Sequence, residues 1–211
     1  MRRGCPLVAF LPDFGYAVVM DSDREKDSPV EDMSLGSLLD LSLLQGMADH
    51  LYAAGGIPVG ILSPEGEVLV GAGWQDICTK FHRAHPSSLS RCLESDAFIK
   101  GHLGESGYTA YKCLNHLWDI ALPIKIEGRH IATLFVGQFF YEGEEIDLEL
   151  FRRQAEEIGF DWPAYRKALE SVPVFSRERV GHMMEYYRNL VNELASEGLA
   201  ILRQRRAEEG P

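Results

Sequence analysis

Apolar residues between Leu41 and Tyr52 recur at helical spacing: Leu41, Leu44, Met47, Ala48, Leu51 and Tyr52 share a face, and AAGG at 53–56 supplies a stop. The next runs, IPVGIL and EVLVGAG, are β-rich and are separated by SPEG, so they predict a hairpin. From Trp74 to His102 the spacing is helical again. Pro86 and Ser87 divide it, with Ser87 or Ser88 placed to cap a second helix carrying Leu89, Cys92, Leu93, Ala97 and Ile99. Strand-like runs follow in YTAYKCL, WDIALPIKI and HIATLFVGQFFY, the last two joined by the turn EGRH. Helices are predicted over 147–158, over 162–172 with Pro163 near the start, and over 177–205.

This order predicts an α+β fold: a central antiparallel five-stranded sheet flanked by helices, laid out as in PAS and GAF domains, with a long C-terminal helix. Residues 1–33 are expected as a flexible tail, because DSDREKDSPVED offers nothing to bury. Residues 34–205 form the domain, and 206–211 a short tail. In the last helix Val180, Met183, Tyr187, Leu190 and Leu194 step by three and four, with Met184 and Val191 widening the stripe. That stripe suits packing on its own domain or a homodimer seam.

Charge narrows the partners. The chain has 32 acidic against 21 basic residues, a net charge of −11, which disfavours direct binding to nucleic acid or anionic lipid. MRRGCPLVAFL resembles a secretory signal, but Pro6 and Pro12 interrupt a short apolar run and Asp13 follows without a cleavage site. No stretch is apolar for long enough to span a membrane. A cytoplasmic protein is therefore expected, its four cysteines reduced.

Enzyme signatures are missing. AGGIPVG lacks a phosphate loop's lysine and precedes a strand; no G-x-S-x-G elbow, HExxH helix or CxxC pair occurs. The remaining chemistry is a cluster: Cys78, His82, His85, Cys92, Cys113 and His116. Cys78 and His82 share a helical face. Cys78, His82, Cys92 and Cys113 are thus candidate ligands of zinc, an iron–sulfur cluster or haem, while packing or pocket lining accounts for the wide cysteine spacing. His85, near a helix end, suits interaction with last-turn carbonyls. Gln138 interrupts the apolar run LFVGQFF and needs a partner: a backbone group, Asp119 on a neighbouring strand, or a ligand. Trp74 and Trp118 each neighbour an acid, a pairing that suits a small ligand with polar and apolar parts.

The blocks GWQDICTKFHRAHPSSLSRCLESD, YKCLNHLWDIALPIKIEGRHIATLFVGQFF and VPVFSRERV together resemble the PocR sensory domain, a PAS-like module, over about Leu38 to Leu202. The resemblance implies a non-enzymatic sensor of small hydrocarbon derivatives such as short diols, coupled to transcriptional or kinase output. The family's characteristic residues fall on Trp74, Asp76, Cys78, Cys92, Cys113, Asp119, Pro123, Gly128, Gly137 and Gln138. The expected ligand-binding set is Trp74, Asp76, Cys78, Cys92, Cys113, Trp118, Asp119 and Gln138, with no resident cofactor. His116 stands where many members carry glycine, and its imidazole is expected to narrow or repolarise the pocket. No DNA-binding, kinase or cyclase segment follows Leu202, so a separate partner or output domain is expected to read the signal through the last helix. A ligand-free dimerisation or adaptor module is the remaining alternative.

Overall fold

The computed structural model describes residues 33–103 and 107–209. The expected tail at 1–32 and the last residues, 210 and 211, lie outside the described residues. Met33, assigned to that tail, packs against the core.

Local chemistry sets the helix ends. A short helix α1 (Leu35–Leu38) is capped by Ser34, and α2 (Leu41–Gly55) by the Asp40 carboxylate, which accepts from the amides of Ser42 and Leu43. Gly56, at φ 62°, ends α2 in the left-handed conformation that glycine adopts without strain. The hairpin β1 (Val59–Leu62) and β2 (Val68–Ala72) forms as expected. A π-helical segment (Ile77–His82) then leads into α3 (Pro86–Lys100). The cap of α3 is His85, whose Nδ1 accepts from the Ser87 amide at 3.3 Å, not Ser87 or Ser88. His85 therefore serves the start of a helix, where sequence spacing suggested an end. Pro86 explains the choice: it takes the first helical turn and leaves His85 extended.

Strands β3 (Thr109–Lys112), β4 (Trp118–Ile126) and β5 (Arg129–Tyr141) complete an antiparallel sheet in the order β2-β1-β5-β4-β3. A sixth strand, β6 (Val174–Phe175), pairs in parallel with the end of β5, so the sheet exceeds the five strands expected. Two residues are too short a run to announce themselves by alternation. Helices α4 (Leu148–Ile158), α5 (Trp162–Glu170) and α6 (Arg177–Glu209) follow. Helix α6 continues through Glu209, past the Arg205 at which a tail was expected. Two clamps hold its end: Arg205 donates to the Ser37 carbonyl, and Arg206 forks onto Glu127 in the β4–β5 turn.

The sheet's two faces are covered differently. On one, α2 and α6 bury Val59, Ile61, Val70, Ile120, Leu122, Ile124, Leu134 and Val136 under Leu44, Ala48, Val180, Met183, Met184, Tyr187 and Val191. Gly198 brings α6 down onto Ile126, where an added Cβ would lie 2.5 Å from Ile126 Cδ1. The apolar stripe of α6 is thus buried against its own sheet, and a homodimer through this helix would have to use its outer face. On the other face lie the π segment, α3, α4 and α5. Among the described residues no helix is long and apolar enough to cross a membrane.

Candidate functional site

The second face carries small residues where the first carries large ones. Gly71, Gly60, Phe135, Ala121 and Thr109 are Cα partners in one row across five strands. Beside it runs a second row of Gly137, Asp119 and Tyr111. Helix α3 reaches this face through Ile99, which packs with Tyr111 and Ala121. At the opposite end the Trp74 indole lies flat over the glycine pair; a Cβ on Gly71 would fall 2.3 Å from its Nε1, and one on Gly60 2.8 Å from its ring. Only glycine admits that ring. Between these walls Phe135, Asp119, Pro123 and Cys113 are only half-buried although they sit mid-sheet or close under α3. The result is a trough whose floor sets Gly60, Ala121 and Gly137 around Phe135.

Asp119 is its chemical centre. The carboxylate lies against Gly137, where a Cβ would come 2.0 Å from Oδ1. It is half-buried, beside Gly137 and opposite Tyr111 in the sheet register. Burial lifts its pKa to about 7, with Asp96 adding and Arg83 opposing. Among the described residues its carboxylate has no hydrogen-bond or ion-pair partner. Nearby, Arg83 and Asp96 are paired with each other at 3.0 and 3.2 Å.

Three thiols stand around this acid. Burial raises Cys78 well above the ordinary thiol value and Cys113 to about 12, Asp119 adding to both. Burial also raises Cys92, whose Sγ accepts from Asn115 Nδ2 at 3.2 Å. All three are free thiols. His82 is fully buried and its pKa falls to about 3 through desolvation, so it is neutral. Its Nε2 shares a hydrogen bond with Tyr165 Oη at 2.7 Å, and its Nδ1 lies 3.9 Å from Cys78 Sγ.

Of the expected residues, Cys78, Cys92, Cys113 and Asp119 come together here, while Trp74 stands apart, over Gly60 and Gly71 on the same face of the sheet. Gln138 is buried beside them, but its Oε1 accepts from the Gln75 amide at 3.2 Å, the backbone partner anticipated among its options. Two further members do not converge. Asp76 is exposed and ion-paired with Lys80 at 2.8 Å, because it begins the π segment on its outer side. Trp118 precedes Asp119 on a strand and so points to the opposite face, where Nε1 donates to Glu144 and its ring meets Tyr141 edge-on. His116 does not narrow the trough either; it packs edge-on to Phe151. Its φ of 70° gives a physical reason for glycine to suit that position.

Among the described residues no group of three or more His, Cys, Asp and Glu side chains is arranged to hold a metal ion. His82 and Cys92 are already engaged, by Tyr165 and Asn115.

Spacing overlooked Tyr111, whose hydroxyl pKa burial raises well above normal, and a polar lock behind Cys92. There Asn115 donates to Ser88 O and accepts from Gln154 Nε2 at 2.9 Å, tying α3 to α4. An asparagine in the turn LNH carries no signal of such burial. Two small cavities lie elsewhere in the fold. One of about 30 Å³ lies between α2, the sheet and α6; one of about 60 Å³ lies beside His116 and Glu144. Neither is large enough for an organic ligand.

A family model described as the sensory domain found in PocR matches residues 37–199. No curated protein and no solved structure matches the chain.

Proposed function

We propose, from the premise that the chain belongs to the PocR sensory-domain family, that it senses a small organic molecule seated in the trough between Trp74 and Asp119. The observation that carries this reading is the half-buried Asp119 carboxyl, set among three thiols and without a hydrogen-bond or ion-pair partner among the described residues. A buried polar group left unpaired costs about 1–3 kcal/mol, more when charged, and a ligand bearing a hydroxyl or another polar head would remove that cost. The thiols of Cys92 and Cys113 and the rings of Phe135 and Trp74 offer apolar surface for a short carbon chain. A short diol or a similar hydrocarbon derivative fits both demands.

The ligand acts by binding, without catalysis. The output belongs to a partner protein or domain, and a run of contacts leads from the trough toward α6. Cys78 borders the ligand, His82 lies one turn on, and Tyr165 carries the contact into α5, which leads through β6 to α6. A shift of the π segment on binding would thereby reach α6.

A thermal-shift screen of short diols, alcohols, amines and carboxylates tests this reading. Anything that binds the folded form raises its apparent stability. At least one class should raise the melting temperature of the wild type and not of Asp119→Asn. Equal shifts in both proteins would reject Asp119 as the ligand's partner.

A further inference from the structure

The polar groups of the trough differ in one respect: every charge near Asp119 except its own is accounted for. From the end of the π segment, Arg83 is paired with Asp96 of α3. The thiols Cys78, Cys92 and Cys113, from the π segment, α3 and the residue after β3, are held protonated by burial, as is the Tyr111 hydroxyl on β3. Elsewhere in the fold the partly buried carboxylate Glu144 has its cation, Lys112, and a second donor in Trp118. Asp119 has neither cation nor donor among the described residues. What it lacks is a positive charge.

The surroundings favour one of a particular kind. Phe135 lies on the floor in the row next to Asp119, and Trp74 stands over the adjoining glycines. Their rings offer apolar surface to the carbon stem of an organic cation. From strand spacing and rise, the Trp74 ring over Gly60 and the carboxylate over Gly137 are about 8 Å apart, the reach of a chain of a few carbons. Resting on the reading of the trough as the ligand site, we propose that it selects a small primary ammonium compound, its charged head on the Asp119 carboxylate and its stem over Phe135 toward Trp74.

Matched isosteres test this on the full chain: ethanolamine against ethylene glycol, and propylamine against propanol, by calorimetry and thermal shift. Each amine should bind about 10- to 100-fold tighter than its hydroxyl isostere at pH about 8, the difference a charge-assisted hydrogen bond makes. The ammonium needs an ionised Asp119, so amine affinity should fall about tenfold between pH about 8 and about 6, while alcohol affinity should not. Asp119→Asn should remove the preference for amine, and Trp74→Leu should weaken amine binding several-fold with the preference kept. The pH series on the wild type stands if Asp119→Asn fails to fold. Alcohols binding as tightly as their amines, or amine affinity indifferent to pH, would overturn the ammonium assignment and leave the trough reading intact. No binding by either member of either pair would overturn both.

Discussion

Phe135 and Phe139 lie on one strand, four positions apart, and do opposite things. Strict alternation would put them on the same face. Instead Phe139 is fully buried in the core under α6, while Phe135 is half-buried on the floor of the trough. The difference comes from a bulge: Asp119 pairs with Gly137 and Trp118 with Phe139, leaving Gln138 unpaired. Before it the even positions Ala132, Leu134 and Val136 face α6; after it the odd positions Phe139 and Tyr141 do. One extra residue thus lets β5 serve a tight core at both ends while Gly137 opens space for Asp119 in the middle. The sheet is a packed wall on one side and a receptive surface on the other.

The largest test of this contrast is a pair of truncations. Phe139→Ala should cost about 3–5 kcal/mol in urea unfolding, as for a well-packed aromatic, and Phe135→Ala about 1–2 kcal/mol, because part of its ring already faces solvent. Equal costs would erase the distinction between the faces.

Next comes pH. Asp119 titrates at about 7 when folded against 3.8 when free. Below about pH 4 both forms hold the proton and nothing is lost. Between about 4 and 7 the unfolded chain releases it while the folded chain keeps it, so stability falls as pH rises. Above about 7 the penalty is constant, at about 4 kcal/mol. Asp119→Asn should remove this slope, read from urea midpoints across that window. Glu144 marks the contrast: burial would raise it too, but hydrogen bonds from Lys112 and Trp118 outweigh burial and hold it below the ordinary carboxylate value.

Asn115→Ala should cost about 1–3 kcal/mol, because it strands Gln154 Nε2, whose Oε1 is already unpaired. The smallest effect belongs to the exposed clamp at the end of α6: Arg206→Ala should change stability by less than about 1 kcal/mol. A larger loss there would mean that this end of α6 is held more tightly than its exposed fork onto Glu127 implies.

Much of the scaffold was legible because its signals are local. The helix periodicity from Leu41 to Tyr52, the SPEG and EGRH turns and the alternation in β4 each depend on neighbouring residues alone. Gln138 was readable as an anomaly, an amide in an apolar run, but not as the residue that reverses the face of β5. That reversal depends on the register against Trp118 and Asp119. The grouping of Cys78, Cys92, Cys113 and Asp119 was likewise visible as unusual chemistry. The error with Trp118 came from reading adjacency as proximity, since neighbours on a strand face apart. Asp76 misled for a related reason, being one position before the inward-facing Ile77. The role of Gly60 and Gly71 could not be seen locally, because Trp74 reaches them only once the hairpin has closed.

The most direct measurement is a carbon-13 NMR titration of carboxyl-labelled aspartates, with and without the small alcohols and amines. An Asp119 resonance that titrates near 7 and moves on adding a member of the panel is the predicted result. An Asp119 that titrates at the ordinary aspartate value and is unmoved by every probe would contradict a ligand site built on that carboxylate.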